Sequence, residues 1–228
     1  MLTALLFDLD GTLADTDPIH FQTWQAVLQE YGLEIDRPFY QANFSGRLNA
    51  AIIQDLLPHL SPAAGEALGL YKEAEFRRRA TQGLQRLPGL TELITWANDR
   101  ALNQAVVTNA PIANAKFMLQ VLGLVEQFPT VILGEELERG KPDPMPYQVA
   151  LEQLGVTAAT ALAFEDSPSG IRSAVGAGIT TVGIATTHSP QELYEIGATL
   201  VIPDFADPRL MELLQRSLQP TLTTSAAL

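Results

Sequence analysis

The sequence predicts an α/β protein: a parallel sheet covered by helices on both faces, interrupted after its first strand by a block of helices. Three observations predict it. Short apolar, strand-like runs recur along the chain. From the second run onward, helix-like stretches separate them, the alternation that builds a parallel sheet. Between Asp15 and about Gln82 there is no strand signal, only helical periodicity.

Taken in order, the first strand is Ala4 to Phe7, an apolar run closed by Asp8, Asp10 and Gly11. In the helical block, Phe21, Trp24, Val27, Leu28 and Tyr31 fall on one helical face, as do Ile52, Ile53, Leu56 and Leu57. The chain returns to the sheet near Leu87 to Leu90, where Pro88 and Gly89 punctuate it. Strands follow at Gln104 to Val107, Thr130 to Leu133, Ala161 to Phe164, Thr181 to Ile184 and Leu200 to Ile202. The intervening helices are read at Leu90 to Trp96, Asn114 to Leu122, Pro146 to Leu154 and Gly170 to Val175. The expected division is a sheet domain over 1–15 and 83–216, a helical insertion over 16–82 and a frayed tail over 217–228.

Composition narrows the function. The 228 residues are 46% hydrophobic and 18% charged, the mix of a folded globular chain. Cysteine is absent, which excludes disulfide frameworks, thiolate metal sites and cysteine nucleophiles. The formal charge of −12 argues against nucleic-acid binding, which needs clustered Lys and Arg. The one basic cluster, Arg77, Arg78 and Arg79, fans around a helix and reads as a solvated face. The run Leu2 to Phe7 is too short for a secretory core and nothing approaches a membrane span, so the chain is read as cytoplasmic, with no membrane partner. It is taken as a monomer.

In an open parallel sheet, ligands bind beyond the carboxyl ends of the strands. Asp8 and Asp10 stand there, on one side by the two-residue period of a strand. Alone, they also describe two solvated turn acids. The other strand ends add Thr108 and Asn109 in "VVTNA", Lys141 in "GKPDP", and Glu165 and Asp166 in "AFEDSPSG". Each has a bland reading as a turn starter, a surface charge or a helix cap. Together they supply what a magnesium ion, an attacking carboxylate and a phosphoryl group would use. Other motifs fail: "GEELERGKP" has the wrong spacing for a phosphate-binding P-loop, "GAGITT" lacks a dinucleotide fingerprint, and His20, His59 and His188 show no zinc spacing.

"FDLDGT", "VVTNA", "KPDP" and "FEDSPSG", in this order and with a long gap after the first, resemble the haloacid dehalogenase superfamily. The resemblance is to its group of β-phosphoglucomutase-like enzymes and small sugar phosphatases, and it runs from about Leu2 to about Pro208. It implies a Rossmann-like core with a helical cap. It implies Asp8 as nucleophile, Asp10 as general acid and base, Thr108 and Asn109 as phosphate contacts, and Lys141 as partner of the nucleophile and the phosphoryl group. Mg²⁺ would be held by Asp8, the Asp10 carbonyl and Asp166, with Glu165 close by, and the Lys141–Pro142 bond would be cis. An ionised aspartate attacks without a base, the cations offset repulsion from the phosphate, and a second acid protonates the leaving alkoxide.

Substrate choice falls to the cap. There Arg47, in "FSGRLNAAI", is placed facing the site by resemblance, and also reads as a surface arginine at a helix start. His20 and Lys72 match positions in "DTDPIH" and "YKEAEF", and also read as a hinge-packing residue and a solvated lysine. The function expected is a phosphatase acting on a small phosphomonoester, a sugar phosphate first. The alternative is a phosphomutase of the β-phosphoglucomutase type, disfavoured because "TNAPIANAKFML" lacks its serine-rich run. A phospho-acceptor signalling module is a more distant reading, since such domains lack the insertion and the second acid.

Overall fold

A computed structural model describes residues 1–44 and 47–219. Six parallel strands form one sheet: β1 (Ala4–Phe7), β2 (Asn103–Thr108), β3 (Thr130–Leu133), β4 (Ala161–Glu165), β5 (Thr180–Ile184) and β6 (Leu200–Ile202). Their spatial order is β3-β2-β1-β4-β5-β6. The order reverses at β1, so the crevice beyond its carboxyl end is where such a sheet binds ligands.

Strand β1 shows why these residues make a buried central strand. Leu5 and Phe7 point into one apolar layer, and Ala4 and Leu6 into the other. The first layer is thick. Phe7 stacks on Phe164 with centroids 5.0 Å apart, and Phe205 meets both edge-on. Helices α5 (Leu90–Asn98), α6 (Ile112–Val121) and α10 (Pro208–Leu218) cover that face through Leu90, Met118, Leu210 and Leu214. On the other face, small Ala4, Ala105 and Ala163 let α7 (Met145–Leu154) and α8 (Pro168–Gly176) approach, and Tyr147, Ala150 and Ala174 fill the layer. Helix α9 (Pro190–Ile196) completes this side, started by a capping box of Ser189 and Glu192.

Between β1 and α5 lie α1 (Asp17–Gln29), α2 (Arg37–Asn43), α3 (Asn49–Leu56) and α4 (Pro62–Gly83). They bury a core of their own, including Trp24, Leu28, Tyr40, Phe44, Ile53 and Leu68. Tyr31 departs from the periodicity: α1 stops at Gln29, and the tyrosine is 40% exposed. Helix α4 belongs to both regions. Its first half carries Leu68 into the helical core, while Phe76 and Ala80 enter the main sheet core. The second half of α4 thus packs on the sheet core.

Of the arginine triplet, Arg77 alone departs from the reading as a solvated face; Arg78 is exposed. Arg77 Nη1 donates to Asn114 Oδ1 on α6 at 2.6 Å, and Arg78 and Arg79 bond Glu75. For Arg77 the cause is tertiary, because α4 lies against α6 there, whereas the Glu75 pairs are local to the helix. At the carboxyl end, α10 continues through Ser217, whose carbonyl accepts from Leu2 N at 2.8 Å, so the helix passes the expected boundary at 216. The rest of the expected tail, 220–228, lies outside the described residues. No described helix is long and apolar enough to cross a membrane.

Candidate active site

The strands deliver their terminal residues to one place. Asp8 follows β1, Thr108 ends β2, Glu165 ends β4 and Asp166 follows it. Asp8, Asp10, Thr108, Asn109, Lys141 and Asp166 line a single cavity of about 460 Å³, together with His20, Arg47 and Lys72 from the helical block. Of the ten residues expected from sequence, only Glu165 is off its wall. It lies beneath, fully buried. Gly11 turns the chain after Asp10 with φ +76°, and a methyl group there would overlap the Asp166 carboxylate.

Lys141 is the centre of the buried charges. Its Nζ donates to Asp8 Oδ1, Glu165 Oε1 and the Val107 carbonyl, each at 2.6 Å, which uses all three of its hydrogens. Burial would lower its pKa, but the carboxylates of Asp8 and Glu165 outweigh that and hold it above the usual lysine range. The Tyr147 hydroxyl also donates to Glu165 Oε1, at 2.7 Å. The Lys141–Pro142 bond is cis.

Asp8, Glu165 and Asp166 each present an oxygen within 4.8 Å of the others, the one such acidic group among the described residues. When all three carboxylates are ionised against one ammonium, two negative charges remain, which a divalent cation would balance. Burial pushes the Asp8 carboxyl up to about 7, against the pull of Lys141, and pushes Asp166 well above its usual range. Glu165 Oε2 is buried without a hydrogen-bond partner. An all-oxygen, over-charged set of this kind suits a hard divalent ion such as Mg²⁺, Mn²⁺ or Ca²⁺.

Around this centre, the two expected phosphate contacts each hold a partner within the protein. Thr108 is buried at the cavity wall, and its Oγ1 accepts from Ala110 N at 2.9 Å. The Asn109 carboxamide binds both backbone groups of Lys141: Oδ1 accepts from its N–H and one Nδ2 hydrogen donates to its carbonyl, which leaves the second Nδ2 hydrogen. On the helical side, His20 Nε2 lies 3.5 Å from Asp10 Oδ1, and its Nδ1 lies 2.9 Å from Lys72 Nζ. The ring stacks on Phe76 at 4.0 Å. Lys72 is buried rather than solvated and pairs with Glu73 at 2.8 Å. Burial lowers the Lys72 pKa in spite of that pairing. Arg47 sits at the rim, exposed, and pairs with Asp55.

Sequence reasoning missed three contributors. Thr187, in the loop after β5, donates from Oγ1 to Asp166 Oδ2 at 2.6 Å, so the segment after the fifth strand buttresses the acid cluster. Its signal was the polar run "TTHS" that closes an apolar strand. Tyr147 gave none beyond its place on a helix. Glu73 accepts from Asn49 at 2.5 Å and from Asn114 Nδ2 at 2.6 Å, joining α4 to α3 and α6 through contacts no local spacing announces.

A family model for haloacid dehalogenase-like hydrolases matches residues 5–184, from β1 to the end of β5. The chain belongs to that family. Among its haloacid dehalogenase-like relatives, the CbbY protein of Cupriavidus necator is 35% identical over 226 residues, covering 91% of this chain and 87% of that protein. The phosphorylated carbohydrates phosphatase of Thermotoga maritima is 30% identical over 209 residues, covering 88% and 94%. The crystal structure of CbbY from Rhodobacter sphaeroides in complex with phosphate superposes with a TM-score of 0.80 at 27% identity, covering 91% of this chain and 96% of that one. The six-stranded parallel core is the family's fold.

Proposed function

We propose that the chain is a Mg²⁺-dependent phosphatase that hydrolyses a small phosphomonoester, a sugar phosphate first, through a phosphoryl group carried on Asp8. The observation that carries the reading is the convergence of Asp8, Asp10, Thr108, Lys141 and Asp166 on one cavity, with Lys141 bonded to Asp8. The naming of relatives as sugar-phosphate phosphatases supports the substrate class.

The Asp8 side chain, the Asp10 carbonyl and Asp166 would hold Mg²⁺, with Glu165 beside them. When bound, the ion offsets the carboxylate charge and stabilises charge on the phosphoryl oxygens. Asp8 attacks phosphorus, forming its O–P bond as the ester O–P bond breaks. Lys141 neutralises the crowded anions, and Thr108 donates to a phosphoryl oxygen. Asp10 gives its proton to the departing alkoxide, then takes a proton from the water that attacks phosphorus and releases Asp8. The helical block acts as a cap that excludes bulk water, with Arg47, His20 and Lys72 facing the substrate. Ala110 and Pro111, which follow Asn109 on the cavity wall, have no side-chain donor with which to hold a sugar for a second transfer, and Asn114 beyond them already donates to Glu73. That favours water over a sugar hydroxyl as acceptor.

Two experiments probe this reading. Phosphate release is measured over sugar phosphates, phosphoglycolate and nucleotides, before and after EDTA and again with Mg²⁺. Release that EDTA abolishes and Mg²⁺ restores is expected; no release from any monoester, or release indifferent to EDTA, overturns the reading. β-Glucose 1-phosphate with a bisphosphate primer should give free phosphate rather than its isomer. Independently, Thr187→Val should weaken Mg²⁺ binding by about 10-fold in calorimetry, since partners that orient ligand carboxylates carry effects of that size. Unchanged affinity would mean that Asp166 needs no such buttress.

A further inference from the structure

Lys141 reaches the acid cluster from a loop. It lies in no helix or strand, between the 3-10 turn at Gly134–Glu136 and α7. Its ammonium bonds Asp8, Glu165 and Val107 only while its own backbone stays in place, and the long side chain gives the backbone many alternatives. Asn109 supplies the restraint. Its Nδ2 donates to the Lys141 carbonyl at 2.9 Å, and its Oδ1 accepts from the Lys141 N–H at 3.0 Å. One carboxamide thus closes both backbone groups of one residue, as a neighbouring strand would.

The surroundings are shaped for this side chain. Gly134 and Gly140 flank it on the same loop. A methyl group at Gly134 would overlap Asn109 Oδ1, and one at Gly140 would stand 2.8 Å from it. Asn109 directly follows Thr108 at the end of β2, so the clamp ties the loop lysine to a fixed strand end. The chemistry selects the residue type. A side chain there must donate and accept at once. Aspartate has no donor and sets a carboxylate against the Lys141 carbonyl, and glutamine needs room that the two glycines do not leave.

We infer that Asn109 is a positioning residue for Lys141, acting through the lysine's backbone and not through the substrate. Its kinetic consequences rest on the phosphatase reading; its structural consequence does not.

The test compares wild type, Asn109→Ala, Lys141→Ala and the double variant in kcat and KM, with a crystal structure of Asn109→Ala. For Asn109→Ala, kcat should fall by about 10²-fold, the cost of a catalytic group misplaced by about 1 Å, while KM stays within about threefold. In the Lys141→Ala background the same change should cost nothing further, and in the crystal Nζ should leave Asp8. An undiminished kcat, a loss that multiplies fully with that of Lys141→Ala, or an unmoved lysine overturns the inference. If Asn109→Ala does not fold, Asn109→Asp, nearly the same size, carries the same comparison. If wild type releases no phosphate from any monoester, the phosphatase reading fails, and the position of Lys141 in the variant crystal still decides this inference.

Discussion

Replacing Asp8 with Asn should abolish phosphate release, by at least about 10⁴-fold in kcat, on the scale seen when a nucleophile is removed, and leave the fold intact. The variant keeps the side chain's shape and an oxygen that can accept from Lys141, which in wild type sits 2.6 Å from Asp8 Oδ1. It loses the nucleophile, because a neutral amide oxygen does not displace an alkoxide. Stability provides a second readout with a definite sign. Burial raises the Asp8 pKa from 3.8 to about 7 in the folded chain. The folded state therefore binds a proton more tightly than the unfolded one, and metal-free stability contributed at this site declines as pH rises from about 4 to about 7. Asparagine has no such titration. In EDTA, thermal unfolding should show wild type losing stability across that window relative to Asp8→Asn, with the variant melting at least as high above pH 7. A variant that still turns over would remove Asp8 from the chemistry, and one that melts lower at high pH would contradict the electrostatic picture of the site.

Lys141→Ala carries the second large effect. It removes the one cation among Asp8, Glu165 and Asp166 and leaves Glu165, fully buried, with Tyr147 as its remaining hydrogen-bond donor. Deleting one partner of a buried ion pair costs about 3–5 kcal/mol, because the other charge is stranded rather than merely released. Denaturant unfolding in EDTA should show a loss of that order, partly recovered with saturating Mg²⁺, since a divalent cation offsets the same carboxylates. In turnover, loss of an electrostatic donor to the transferring group should lower kcat/KM by about 10³-fold. A variant within tenfold of wild type, or one as stable as wild type without metal, would show that Lys141 is a bystander.

The readable parts of the fold are those fixed by local patterns. β1 falls on the bounds read from its apolar run, Ala4 to Phe7, because a strand buried on both faces is apolar throughout and the acids mark its end. Helices α9 and α10 were passed over. The first is only seven residues long; the second did carry a signal, since Leu210, Met211, Leu213, Leu214 and Leu218 fall on one helical face. At the site, the strand-end argument picked out residues that share a cavity, since a parallel sheet aligns its carboxyl ends whatever the sequence separation. It could not assign orientations. Asn109 stands at the expected place, yet its carboxamide turns to the Lys141 backbone, a choice set by Gly134 and Gly140 more than 20 residues away. Arg77 and Lys72 misled for a related reason. Charges on a helix read as solvated until α4 is laid against α6 and α1, and only then do Asn114 and His20 meet them.

The most direct measurement is chemical capture of the phosphorylated side chain. Enzyme turning over a saturating phosphomonoester with Mg²⁺ is quenched into borohydride, which reduces an aspartyl phosphate to homoserine, and the digest is read by mass spectrometry. The account expects homoserine at Asp8, formed only with substrate present and absent from Asp8→Asn. Steady turnover with Asp8 unreduced, or with the reduced residue at Asp10 or Asp166, would contradict it.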